Sequence, residues 1–357
     1  MAYLNYNSTN HPKSGQYNPS DLGYNEVIEM RESQKLLENR ILQMVNAPPD
    51  STVIFNSGAS ESVATLIHWI KDVNPYGTIM GSDFDHSIIS DNCINYHTKY
   101  LMSDYVSIDD RASLCFLTHI NSKTGEIFNV DAFSKMFKSY SLIDTSGESD
   151  FDDSDNVLQF SPLIALDATQ SIGKLQINMI KYGINAVFFS LHKLGGPIGT
   201  GVLVIDNKYK FVPLIAGQQQ GGLRGGTYPI ENILSNSDIF SETDDPNSRK
   251  KTWMDAVNYL EAKGIEVYKP KHKHIYNTIL AKTNKCPLEV INELSLEGIY
   301  VGTLSACSNE PTDALVSSEE IDSNESNKEI RISFKYANEL NPTILEKIAN
   351  AISITRA

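Results

Sequence analysis

Cysteine is scarce in this chain, and the four present do not cluster. Cys93, Cys115, Cys286 and Cys307 are widely spaced, with no Cys-x-x-Cys pair of the kind that holds zinc or forms a redox dithiol. Free thiols in a reducing, cytoplasmic compartment are therefore expected, and no metal. Long apolar runs are missing too: none approaches the ~18–20 residues that a bilayer-spanning helix requires, so no membrane partner is expected. The first residues lack the basic-then-apolar order of a secretory leader. Basic charge is outweighed, with 30 Lys and Arg against 44 Asp and Glu and a net charge of −14. Binding nucleic acid directly takes a basic face, so that class of partner is excluded first. There is no internal repeat.

Much of the acidic excess is local. Residues 144–155 carry six acids and no base, and 319–329 carry five acids against Lys328. Both stretches are serine-rich and read as solvated loops or insertions. The turn from Lys269 to His274 is the opposite case, and it reads as a solvated basic turn rather than a metal site. A chain of 357 residues has room for one large core and a smaller one.

Ahead of these, residues 1–20 read as an arm. A helix is predicted over 26–45, with Ile28, Leu36, Leu37, Ile41 and Leu42 on its apolar face. Pro48 and Pro49 end it. Thr52 to Asn56 is a short strand, followed by a glycine turn at Gly58 and a helix that Ser60 can cap, with Val63, Leu66, Ile67 and Ile70 inward. A strand, a tight turn and a helix N-terminus leave backbone amides aimed at one point, which suits an anion; it is also an ordinary strand-to-helix connection. Next come a strand entering a loop with His86, a strand over 114–118 leading to Asn121, Ser122 and Gly125, and a helix that Asp131 is expected to cap. After the acidic insertion a strand ends at Asp167. Strands alternating with helices predict an α/β fold with a mainly parallel sheet, and ligands at the strands' carboxyl ends.

Residues 186–201 draw these parts together. Ala186 to Leu191 reads as a fully covered strand, then come His192 and Lys193, then a turn rich in glycine. A lysine at the end of an apolar strand can be a nucleophilic amine near neutral pH, because desolvation disfavours the ammonium. Alone, it also reads as a lysine lying over a glycine turn. Asp167 changes the balance. It ends the preceding strand, 26 positions before Lys193, a spacing that fits one crossover in a parallel sheet. A carboxylate to keep a pyridine nitrogen protonated, an amine to condense with an aldehyde and a helix N-terminus for a phosphate are together the requirements of pyridoxal 5′-phosphate.

On those residues the chain resembles the cysteine desulfurases, within the class V aminotransferase-like group of fold-type I pyridoxal-phosphate enzymes. The likeness is strongest over residues 167–205 and recurs at 57–62, 85–87, 222–232, 304–311 and 330–334 in the family's order. The resemblance implies a large domain over 12–235, holding a seven-stranded-type sheet between helices. It implies a smaller α+β domain from 1–11 and 236–357 that carries the Cys307 loop. It also assigns roles. Lys193 matches the Schiff-base lysine, Asp167 the partner of the pyridine nitrogen, Gln170 the side chain on the phenolic oxygen and His86 the histidine stacked on the ring, a catalytic position. Ser60, Ser190 and His192 match phosphate ligands, and Thr227 the threonine that reaches the phosphate across a homodimer interface. Arg331 matches the clamp on the substrate carboxylate, and Asn7 falls in the substrate-binding N-terminal motif. Ser305-Ala306-Cys307 matches the loop whose thiolate attacks the sulfur of L-cysteine, and its small, polar surroundings suit an exposed thiol.

Three departures stand out. Ser122 replaces the asparagine that contacts the phenolic oxygen, Gly225 stands where the family's arginine motif (Arg224 to Thr227 here) has serine, and Asn5-Tyr6-Asn7 alters the N-terminal one. The expected function is a homodimeric, pyridoxal-phosphate-dependent cysteine desulfurase. It would convert L-cysteine to L-alanine and pass sulfur from Cys307 to an acceptor protein for iron–sulfur assembly or tRNA thiolation. The alternatives are a selenocysteine lyase or other class V activity, and a catalytically weak cofactor-binding scaffold.

Overall fold

The structure, a computed structural model, describes residues 2–3, 24–82, 85–93, 99–100, 112–135, 162–208, 210–226, 229, 233–234, 245–303 and 328–353; for 2–3, 24–27, 93 and 99–100 it describes backbone alone. In chain order the elements are β1 (Ala2–Tyr3), α1 (Tyr24–Met44), β2 (Thr52–Asn56), α2 (Ala59–Val73), β3 (Thr78–Ser82), α3 (Ser87–Cys93), β4 (Lys99–Tyr100), β5 (Ala112–Thr118) and β6 (Leu163–Asp167). Then follow α4 (Met179–Tyr182), β7 (Ala186–Ser190), β8 (Gly201–Ile205), α5 (Pro246–Ala262), β9 (Thr278–Lys282), α6 (Pro287–Leu296), β10 (Ile299–Tyr300), β11 (Glu329–Ser333) and α7 (Pro342–Ile352).

Seven strands form one sheet in the order β2-β8-β7-β6-β5-β3-β4. Strand β8 runs antiparallel to both its neighbours, and the other pairings are parallel. This is the α/β, fold-type I arrangement that the sequence predicts. Side chains alternate across a strand, so a sheet covered on both faces needs apolar residues at every position. The strands supply them. Phe55, Cys115, Leu117, Ile164, Leu166, Val187, Phe189, Val202 and Val204 pack on one face with Leu37, Ile41 and Val45 of the α1 segment. Ile54, Leu114, Phe116, Leu163, Ala165, Phe188 and Leu203 pack on the other with Val63, Leu66, Trp69 and Ile70 of α2. The edge strand β2 is closed off by Gln220, whose amide accepts from Phe55 N at 2.8 Å and donates to Phe55 O at 2.7 Å, imitating a neighbouring strand.

A second core gathers α5, β9, α6, β11 and α7, with Trp253, Leu260, Ile279, Val290, Ile330, Ile332 and Phe334 buried together around the antiparallel pair β9–β11.

Local expectations need correction at several points. Leu37 and Ile41 are buried as expected, but Leu36 is 71% exposed and Ile28 also faces solvent. Ser60 does not cap α2: Gly58 is the cap residue, with φ 153°, and the first helical N–H, of Ala59, donates to Ser190 Oγ at 2.9 Å. Asp131 lies inside its helix, paired with Lys135, and Asn129 Oδ1 accepts the capping N–H of Ala132. Leu191 has left the strand and opens a 3-10 turn over Leu191–Leu194.

Candidate active site

Parallel strands end on a common edge, so β3, β5, β6 and β7 deliver Ser82, Thr118, Asp167 and Ser190 to one side of the sheet. The hydroxyl of Ser190 holds the N-terminus of α2 over that edge. Close packing there depends on Gly201, opposite both Asn56 and Ser190: a Cβ on Gly201 would lie 2.5 Å from Gly58 Cα. The result is a cavity of about 160 Å³, lined by Ala59, Ser60, His86, Ile88, Thr118, Ile120, Ser122, Asp167, Thr169, Gln170, Ser190, His192 and Lys193. It suits one small ligand.

Eight of the residues that the sequence singles out meet in this lining: Ser60, His86, Ser122, Asp167, Gln170, Ser190, His192 and Lys193. Arg331 does not. It is wholly buried on β11, and its backbone pairs with Gly302. Asn7, Thr227 and Cys307 lie outside the described residues.

The electrostatics follow from burial beside fixed partners. Asp167 Oδ1 accepts from Thr169 N at 2.8 Å. Its pKa is raised by burial, with the Thr169 bond, His86 and Lys193 opposing the rise. A buried carboxyl of that kind gains when a cationic donor arrives. Burial lowers the pKa of His86, and Lys193 adds to this against the pull of Asp167. His86 Nδ1 accepts from Ile88 N at 3.2 Å, which leaves the proton of the neutral ring on Nε2. His192 is pushed down to about 4 by burial and by Lys193.

Other participants were given no role from the sequence. Asp85 sits behind the lining: its Oδ1 takes the hydroxyl of Thr118 at 2.6 Å and Thr118 N at 3.1 Å, and its Oδ2 takes Ser82 N at 2.6 Å. Burial pushes it up to about 7, and the nearby Asp167 adds to the rise. Lys174 Nζ donates to Gln170 Oε1 at 3.2 Å. Arg224, of the altered arginine motif, grips Glu61 of α2 with two bonds of 2.9 and 3.1 Å. Among the described residues no cluster could hold a metal, and no helix is long and apolar enough to cross a membrane.

The model of the family "Aminotransferase class-V" matches residues 157–222, the segment that carries Asp167, Gln170, Ser190, His192 and Lys193. Over that segment the chain is similar to the class-V aminotransferases. The chain has distant similarity to the cysteine desulfurases: it is 25% identical over 245 residues to "Cysteine desulfurase IscS" of Photorhabdus laumondii, which takes in 62% of the chain and 55% of that relative. It thus spans about half the length of the curated relatives it matches. Its fold is that of a solved NifS-like protein, with a TM-score of 0.75 at 21% identity over 98% of both chains. It is also that of SspA, solved in complex with cysteine, with a TM-score of 0.68 at 19% identity over 94% of this chain and 99% of that one.

Proposed function

We propose that this chain is a class-V, pyridoxal-phosphate-dependent cysteine desulfurase that forms alanine from L-cysteine and takes the sulfur on Cys307. The observation that carries the reading is the shared cavity of Asp167, at the end of β6, and Lys193, in the turn after the adjoining parallel strand β7, beneath the N-terminus of a third element, α2. The donor set fits the cofactor. A buried carboxyl with a raised pKa suits a protonated ring nitrogen, and the buried hydroxyl of Thr169, with no hydrogen-bond partner among the described residues, is a further polar atom beside the same cavity. Ser60, His192 and the first turn of α2 would hold the phosphate, with Ser190 fixing that turn. His86 would lie against the ring face, Gln170 and Ser122 would face its phenolic oxygen, and Asp167 would keep the proton on its nitrogen.

Once bound, pyridoxal phosphate supplies an aldehyde for amines and a ring that takes up electrons released at a substrate carbon. Lys193 Nζ would move the α-proton as general base. Arg331 would grip the substrate carboxylate, a task suited to a planar two-pronged donor. The Cys307 thiolate would then form an S–S bond to the substrate sulfur while the Cβ–S bond breaks; the carbon keeps the electron pair, gains protons and leaves in alanine. A homodimer completing the phosphate site through Thr227, and an acceptor protein drawing sulfur for iron–sulfur assembly or tRNA thiolation, belong to the same proposal. The substitution at Ser122 favours one second reading: reduced turnover on an intact cofactor site, because a hydroxyl reaches less far than an amide.

The test is the visible spectrum of the purified protein with pyridoxal phosphate, followed by alanine and sulfide formation from L-cysteine. Cys307→Ser should keep the absorbance and lose alanine formation. Unchanged turnover in that variant would reject the role of Cys307, and a stable spectrum with no turnover in the native protein would favour the second reading.

A further inference from the structure

Strands β3 and β5 are neighbours in the sheet, but their ladder stops short. Its last pair is Met80 with Cys115, although β3 runs on to Ser82 and β5 to Thr118. Where the two strands part, a side chain takes over the backbone donors that a ladder would use. Asp85 Oδ2 accepts from Ser82 N at 2.6 Å, and its Oδ1 accepts from Thr118 N at 3.1 Å and from the Thr118 hydroxyl at 2.6 Å. Asp85 N also donates to Ser82 O at 3.1 Å, which closes the turn after β3. The fit is tight: a Cβ on Gly81 would lie 3.0 Å from Asp85 Oδ2. The next residue is His86, which lines the cavity and whose carbonyl accepts from Ile89 N at 2.8 Å as α3 begins. We propose that Asp85 is a positioning residue: it pins the start of α3 across the parted ends of β3 and β5, and so fixes His86 in the cavity wall. The proposal rests on the reading of the cavity as the pyridoxal-phosphate site, and it extends that reading to a carboxyl behind the lining.

The surroundings of Asp85 make the pin adjustable. Every one of these bonds to its carboxylate comes from a donor, which suits the anion. Burial works against the anion, as does Asp167 from β6, and together they push the carboxyl up to about 7. Once protonated, the carboxyl must give up one bond or have the Thr118 hydroxyl turn round to accept. The pin therefore loosens as pH falls through about 7. Relief of a desolvated charge offsets the lost bond in overall stability, so the change is one of position and not of folding. The charges around the two side chains include Asp167, which acts on both, and Lys193, Asp91 and Lys123, which act on His86.

Two readouts test this, and the first needs no cofactor. Desolvation holds His86 below its ordinary 6.5, so the pH titration of its imidazole resonances reports how firmly the ring is kept in the wall. Asp85→Asn keeps an oxygen for Thr118 but sets an NH2 group against Ser82 N. It should raise the His86 midpoint toward 6.5, by about half a unit. Loss of a negative charge alone would move the midpoint the other way. Thr118→Val removes the hydroxyl and no charge, and should shift the midpoint in the same direction as Asp85→Asn, whereas Thr118→Ser should restore the native value. An unchanged or lowered midpoint in either Asp85→Asn or Thr118→Val overturns the pin. The second readout is the dissociation constant of pyridoxal phosphate, followed by its visible absorbance. Asp85→Asn should weaken binding about five- to tenfold, the scale of one hydrogen bond. In a His86→Leu background the same substitution should have little further effect, because the action passes through His86. An equal loss in both backgrounds overturns the proposal. A raised His86 midpoint in variants of a protein that never acquires a visible band would uphold the pin and reject the cofactor reading instead.

Discussion

Asp167 and His119 are buried and Asp85 and His192 half-buried around one sheet edge, and desolvation moves the carboxyls and the imidazoles in opposite directions. Asp167 has the most direct chemical consequence. Asp167→Asn keeps its size and an oxygen to accept from Thr169 N, so the fold should survive. It removes the charge that would hold a ring proton, and alanine formation should fall by about a hundredfold or more while bound cofactor is still visible. The histidines bear on stability. His119 and His192 lie near 4, against an ordinary 6.5, so the unfolded chain takes up protons that the folded chain excludes. Their contribution is complete above pH 6.5 and is lost as pH falls through about 4. Asp85, raised from 3.8 to about 7, works the other way over an overlapping window, gaining stability as pH falls. The native profile therefore mixes signs, and the informative quantity is a difference. His119→Leu, away from the cavity lining, should remove a slope of up to about 1.4 kcal/mol per pH unit between roughly pH 4.5 and 6, read from urea unfolding of both proteins. Asp167 and Lys193 were legible in the sequence because Asp167 ends one apolar strand and Lys193 closely follows another. Asp85 and Lys174 were not, since their partners, Thr118 and Gln170, give no sign of the pairing until the chain has folded.

Among the elements, strands were easier to read than helices. The sheet is covered on both faces, so β2, β6 and β7 appear as unbroken apolar runs bounded by turns, and their limits follow closely. The charge-rich α1 offers several competing faces, and Leu36 was assigned to the wrong one. The α2 N-terminus shows what local rules miss. Its first N–H is satisfied by Ser190, 131 positions away, and Ser57 N by Glu61 within the turn, so no local cap is needed. That long-range closure makes the junction sensitive to added atoms. Gly201→Ala would drive a methyl group into the Gly58 backbone, and relief would pull β8 away from the α2 turn. The expected loss is about 1–3 kcal/mol of stability, together with weaker binding of pyridoxal phosphate because the same turn would hold its phosphate. Thermal unfolding with and without cofactor measures both, and the stabilisation by cofactor should shrink along with the melting temperature.

At the scale of the whole molecule, what matters is how the second core is held against the sheet, and one carboxylate is central to it. The loop after β5 carries Ser122 into the cavity wall, and its far side meets residues 268–276: Ile127 N donates to Lys273 O at 2.7 Å, and Ile275 N to Gly125 O at 3.0 Å. Between these bonds lies Glu126, 5% exposed. Its Oε1 accepts from Lys271 N at 2.8 Å and His272 N at 3.2 Å, and its Oε2 from the Thr124 hydroxyl at 2.9 Å. The basic turn that reads from sequence as plain solvated charge is thus anchored through its backbone. A glutamine at 126 keeps one oxygen for both N–H groups and turns its NH2 toward hydroxyls that can accept, so Glu126→Gln should cost little. Glu126→Ala leaves two backbone donors and a hydroxyl without their acceptor at a buried seam, a loss of about 2–4 kcal/mol. Because the bonds it breaks run between the two cores, the effect should be on cooperativity as well as on the midpoint. The alanine variant should unfold in a broadened or two-step denaturant transition, with the second core opening first, while the glutamine variant keeps the single native transition. An alanine variant that unfolds in one sharp step at the native midpoint would show that the seam is held elsewhere.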